Sequence, residues 1–183
     1  MSRVIGGAAG GRRLATPPGR GTRPTSDRVR EALFSSLESL PGGLQGVAFL
    51  DLYAGSGAVG LEAASRGAGA VTLVERDPSA VKVIRRNLAA VPASTRVEVV
   101  ASTVERFLAG TPAPYQTVFL DPPYAEPVDR VLAVLAVSGW LARDAVVCVE
   151  RATRDGAIVW PEGLVGLRSR KYGDTTLWYG RAS

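Results

Sequence analysis

Five short apolar runs alternate with helical stretches along most of this chain, and that alternation constrains the fold more than any other feature. The runs cover residues 47–52, 70–74, 97–100, 117–120 and 145–149, with helical spacing near 57–67, 78–91, 103–109 and 127–138. Strands buried on both faces read as continuous apolar runs. Strands separated by helices in this way make an open α/β sheet with helices on both faces. The 183 residues suffice for one such domain, with no internal repeat. The end breaks the pattern: 164–172, Gly173-Asp174 and 175–179 read as an antiparallel hairpin.

Ligands of open α/β sheets bind at the carboxyl ends of the strands. The first strand ends in Asp51-Leu52-Tyr53-Ala54-Gly55-Ser56-Gly57, the second in Glu75-Arg76, the third in Ala101-Ser102-Thr103 and the fourth in Asp121-Pro122-Pro123-Tyr124. Gly55, Gly57 and Gly60 match a dinucleotide fingerprint. Asp51, however, would repel a pyrophosphate and suits the ammonium of an amino acid. Glu75 can accept hydrogen bonds from two ribose hydroxyls. A nucleoside with an amino-acid tail and a cationic centre meets both acids, and S-adenosylmethionine is such a molecule. Tyr53, Ser56 and Arg76 flank these positions and belong to the same expected cofactor site.

Asp121-Pro122-Pro123-Tyr124 suits a planar amine. The Asp121 carboxylate and the Pro122 carbonyl can both accept from one NH2 group and keep its lone pair on nitrogen. Tyr124 offers a stacking face for a base, worth about 1–3 kcal/mol. Methyl transfer in line then rests on positioning and electrostatics. No histidine is needed, and the chain has none. That absence excludes Ser-His-Asp and Cys-His catalysis and His-ligated zinc. A single cysteine, Cys148, lies in an apolar run and reads as a buried, inert thiol, so no metal site is expected.

Charge is unevenly placed. The first thirty residues hold seven arginines (Arg3, Arg12, Arg13, Arg20, Arg23, Arg28 and Arg30) against Asp27 alone, a surplus of six; the whole chain carries +5, so the remainder carries −1. A basic arm on a near-neutral body is a nucleic-acid footprint, or else a solvated tail. Arg3-Val4-Ile5-Gly6-Gly7 and Arg12-Arg13-Leu14-Ala15 read as a short two-stranded ribbon, and Thr25 or Ser26 caps the next helix. The arm is expected to span 1–22 and the catalytic domain 23–183, so that loss of residues 1–20 spares fold and cofactor binding. No stretch reads as a targeting or membrane-spanning segment, which suggests the cytoplasm.

Asp51–Gly57 and Asp121–Tyr124 together resemble the cofactor and amine motifs of class I amino-methyltransferases. Arg3-Val4-Ile5-Gly6-Gly7, then Arg23-Pro24-Thr25-Ser26-Asp27-Arg28-Val29-Arg30-Glu31-Ala32-Leu33-Phe34, and the terminal Tyr172-Gly173-Asp174-Thr175, are similar to the RsmD family of 16S ribosomal RNA (guanine-N2)-methyltransferases. The resemblance implies a Rossmann-like, mostly parallel seven-stranded sheet, S-adenosylmethionine as cofactor, and one guanine N2 of small-subunit RNA, within an assembling subunit, as target. It implies that Asp121 and Pro122 hold the amine, Tyr124 stacks the base, Glu75 holds the ribose and the Gly55–Gly57 turn faces the methionine part. Arg23 and Thr25 close over the cofactor. Where Thr103 stands the family more often has Asp or Asn, so Ser102, Thr103 or a backbone carbonyl meets the adenine. Arg3, Arg12, Arg13 and Arg20 are expected to contact RNA phosphates, and the chain is expected to act as a monomer. A DNA adenine-N6 enzyme, a protein-glutamine methyltransferase and a non-catalytic RNA-binding module are the competing readings.

Overall fold

A computed structural model describes the chain except Met1 and residues 18–25, 91–94 and 124–125. Strand β1 (Ser2–Arg3) pairs with β2 (Arg13–Leu14) as a small antiparallel ribbon. Helix α1 (Asp27–Glu38) follows, capped by Ser26, whose Oγ accepts from the N–H of Val29 at 3.2 Å. Then come β3 (Ala48–Asp51), α2 (Ala58–Ser65), β4 (Ala70–Glu75), α3 (Pro78–Asn87), β5 (Arg96–Ala101), α4 (Val104–Leu108), β6 (Tyr115–Leu120), α5 (Val128–Val137), β7 (Leu141–Ala152), β8 (Leu164–Tyr172) and β9 (Thr175–Ala182).

The seven-stranded sheet has the order β5-β4-β3-β6-β7-β9-β8. Strands β3 to β7 are parallel, and β9 enters between β7 and β8 antiparallel to both. The expected terminal hairpin is therefore present, with its second strand as the inner one. Apolar residues of α1 and α2 join Phe49, Leu73, Phe119 and Cys148 on one face of the sheet; those of α4 and α5 join Leu50, Leu52, Val118 and Val147 on the other. Gly60 lets α2 lie close on β4, because a Cβ there would stand 2.1 Å from Leu73 Cδ2. Strand β7 runs well past the expected 145–149, since its ends also pair with Tyr115 and with β9. Its charged Arg143, Asp144, Glu150 and Arg151 hide those ends in an apolar count.

The N-terminal ribbon departs most from expectation. Its ladder is short: Val4 still donates to the Arg12 carbonyl at 2.9 Å, and beyond it the amides turn to a side chain instead. Ile5 and Gly6 donate to the two oxygens of Glu62 on α2 at 2.7 and 2.8 Å, and Ala9 donates to Ser65 Oγ at 2.8 Å. Glu62, fully buried, also binds Arg66 at 2.8 Å and Arg30 at 3.6 Å. Val4, Ala9 and Leu14 are within 1% of full burial and join the same core as α1 and α2. The arm is thus packed into the body, and removing residues 1–20 would strip core and uncover a buried ion pair. The expectation that such a deletion spares the fold fails on this packing.

Removing one partner of a buried pair strands the other's charge and costs about 3–5 kcal/mol. Glu62→Ala is expected to lose that much stability in urea unfolding, and to open the ribbon to proteolysis.

Candidate active site

The strand order reverses between β3 and β6, so a crevice opens at the carboxyl edge there. Asp51 closes β3 and is 1% exposed. Its Oδ2 accepts from the N–H of Gly60 at 3.2 Å, which ties it to the first turn of α2. Its Oδ1 is buried with no hydrogen-bond partner among the described residues. Burial raises the Asp51 carboxyl to about 7; the N–H groups of Gly60 and Tyr53 oppose the shift, and the charge of Glu75 adds to it.

Between Asp51 and α2 the chain makes a tight turn. Gly55 (φ +56°) and Gly57 (φ +80°) lie in the left-handed region that glycine tolerates. Glu75, at the end of β4, props this turn: its Oε2 accepts from Gly55 N–H and its Oε1 from Asp77 N–H, both at 2.8 Å. Each oxygen keeps a second lone pair for a ligand hydroxyl. Ser102 N–H donates to the Glu75 carbonyl at 3.1 Å, placing the end of β5 beside it. Thr103 serves as the cap of α4, its Oγ1 accepting from Arg106 N–H at 3.3 Å. That explains a hydroxyl residue at the position.

Asp121 and the buried Pro122 follow β6. Burial raises the Asp121 carboxyl well above its ordinary range, and the charges of Glu150 and Asp51 raise it further. Glu150, 8% exposed on β7, stands one register step beyond the Leu120–Val149 pair, alongside Asp121. No motif marked it in the sequence. Glu126 is a second such residue: Arg76 binds it at 2.8 Å and the Tyr53 hydroxyl bonds to it. Those contacts join the end of β4 to the segment after Asp121, across the end of β3. Asn87 is a third. Its 3%-exposed amide exchanges two hydrogen bonds with Ala15 (2.8 and 2.9 Å) and donates to the Ser56 carbonyl at 3.0 Å. It ties the N-terminal ribbon to the glycine turn.

Asp51, Tyr53, Gly55, Ser56, Gly57, Glu75, Arg76, Ser102, Thr103, Asp121 and Pro122 therefore converge on the carboxyl edge. Tyr124, Arg20, Arg23 and Thr25 lie outside the described residues. Of the other arm cations, Arg3, Arg12 and Arg13 are exposed, with Arg3 paired to Asp27 at 3.4 Å. Cys148 is fully buried, and burial pushes its thiol far up. Among the described residues no His, Cys, Asp and Glu group is arranged to hold a metal, and no helix is long and apolar enough to cross a membrane.

This sheet order, with acids at the carboxyl ends around a glycine turn, defines a class I methyltransferase fold. Magnesium protoporphyrin IX methyltransferase from Synechocystis shares that fold at a TM-score of 0.64 and 16% identity, over 85% of this chain and 79% of that one. The chain belongs to the family described as Conserved hypothetical protein 95, the RsmD family, whose model matches residues 2–181. A curated relative, Ribosomal RNA small subunit methyltransferase D of Escherichia coli (strain K12), is 41% identical over 155 residues, 84% of this chain and 76% of the relative. The protein of the same name from Haemophilus influenzae is 34% identical over 175 residues, 93% of this chain and 89% of the relative. The solved structure of Escherichia coli yhhF superposes at a TM-score of 0.87 with 35% identity, covering 98% of this chain and 97% of that one.

The folded state keeps the Asp51 proton to about pH 7, whereas an unfolded aspartate releases it near pH 3.9. Folding stability from this group is therefore highest below about pH 4 and falls as pH rises to about 7, by on the order of 4 kcal/mol. Asp51→Asn is expected to flatten that decline in urea unfolding between pH 5 and pH 8. An unchanged decline would remove the buried proton from the account.

Proposed function

We propose that this chain transfers a methyl group from S-adenosylmethionine to the exocyclic N2 of one guanine in small-subunit ribosomal RNA, within an assembling subunit. We take it to act in the cytoplasm and as a monomer. One observation carries the reading: a half-buried Asp121 and the buried Pro122 close β6 at the same carboxyl edge as the Gly55–Gly57 turn and the orphan oxygen of Asp51. Membership of a family whose relatives carry small-subunit RNA methyltransferase names supports the substrate class.

S-adenosylmethionine supplies a methyl group on a positively charged sulfur. Asp51 fits the ligand's ammonium, since a buried carboxylate with a free oxygen gains most from a cation. Glu75 accepts from the ribose hydroxyls while holding the turn open to them. Ser102 and the capping Thr103 border the adenine end. On the RNA side Asp121 and Pro122 accept from the two N–H bonds of the amine and keep its lone pair aimed at the methyl carbon. Tyr124 stacks the extruded base. The nitrogen–carbon bond forms as the carbon–sulfur bond breaks with its electron pair on sulfur, and one proton must leave the nitrogen. Asp121 takes it: the nearby positive charge has gone, and burial beside Glu150 then favours the protonated carboxyl. Arg3, Arg12, Arg13 and Arg20 contact phosphates, and Arg23 and Thr25 cover the cofactor.

The test is incubation with labelled S-adenosylmethionine and small subunits, naked 16S RNA or DNA, followed by digestion to nucleosides. N2-methylguanosine from the ribosomal RNA is expected. Methyladenosine from DNA, or no labelled nucleoside from any substrate, would overturn the reading. Asp121→Ala is expected to keep cofactor affinity within a few-fold and to lose roughly a hundredfold or more in turnover.

A further inference from the structure

The carboxyl edge of the sheet extends well past the crevice. The outermost strand β8 runs in the same direction as β7, because both are antiparallel to β9, so both end at that edge. Register carries one row of side chains across the face that holds Asp121. Arg170 stands beside Leu177 and Leu177 beside Glu150, and Glu150 is one step past the Leu120–Val149 pair, at the level of Asp121. Three strand spacings separate Arg170 from Asp121 by about 14 Å.

Strand β8 carries Arg168, Arg170 and Lys171 and no acid. Arg168 is already engaged: its Nη2 donates to the Ser36 carbonyl at 3.1 Å and its guanidinium lies over the Tyr179 ring. Arg170 and Lys171 are exposed, with no side-chain partner among the described residues. Asp155, at the same edge, is held by Arg151 at 3.3 Å. The basic arm is also less available than its sequence suggests. Arg30 is fully buried against Glu62 and Asp27, and Arg3 is paired. A strand that binds RNA around Asp121 therefore meets available positive charge at β8 as well as at the arm.

We propose that Arg170, on the face that holds Asp121, and Lys171, its neighbour projecting from the other face of the same edge strand, form a phosphate-binding edge for the RNA strand flanking the target base, on the β8 side of Asp121. The inference rests on the RNA substrate argued above. Phosphate contacts of this kind set register and orientation rather than reading bases.

The test compares wild type, the double variant Arg170→Ser/Lys171→Ser, and Arg143→Ser, a control at the opposite edge whose side chain is 97% exposed. Binding of a 16S RNA fragment is measured by fluorescence anisotropy from 50 to 200 mM salt, alongside S-adenosylmethionine affinity and Tm. The double variant is expected to bind RNA roughly tenfold more weakly, with the slope of log K against log salt shallower by about 1.5. Cofactor affinity and Tm stay unchanged, and the control behaves as wild type. Equal affinity and slope in the double variant, or an effect only on self-association as expected of cations that merely guard an edge strand, would overturn the inference and leave the proposed function standing. Failure of the wild type to bind the RNA would sink both.

Discussion

Burying a carboxylate is costly unless something positive or an N–H meets it, and this molecule answers that cost in two opposite ways. Glu62 is completely satisfied: two backbone amides of the ribbon, Arg66 and Arg30 surround it. It is a finished joint, and it makes the N-terminal ribbon, α1 and α2 one packed unit. Asp51, almost equally buried, has the amides of Gly60, at 3.2 Å, and Tyr53 directed at its carboxyl and still leaves Oδ1 without a hydrogen-bond partner among the described residues. The first arrangement builds the scaffold. The second leaves an unmet demand for a cation at the floor of the crevice.

Parallel register turns that demand into a site. Asp51, Glu75, Asp121 and Glu150 share one face because their strands align step for step at the carboxyl edge. Glu75 is occupied in holding Gly55, so it positions the turn as well as offering acceptors. Asn87 links the same turn to Ala15, so the docked ribbon and the cofactor loop share one buried amide.

The sheet was legible because the strands that both faces cover are apolar through their middles, and the glycine turn and Asp121-Pro122 announced themselves by position at strand ends. Charged residues buried in pairs were not legible. Arg30 counts in the sequence as one more arm cation and nothing there marks Glu62, and only the fold brings them together. Glu150 sits in a strand whose charges made its end look like a loop. Val4, Ala9 and Leu14 follow neither a helical nor a strand period, so the ribbon's share of the core was hidden behind its arginines. Charge counting placed the whole basic excess in the arm. The structure withdraws Arg30 from that count and exposes Arg170 and Lys171 at the far end of the sheet.

The central claim is that Asp51 holds a proton in the free protein and gives it up when a cationic ligand takes its place. Calorimetric titration with S-adenosylmethionine at pH 6.5, in buffers of different ionisation enthalpy, reads that proton directly. The account predicts net proton release by the wild type, sharply reduced in Asp51→Asn. Binding heats that are identical in every buffer would contradict it.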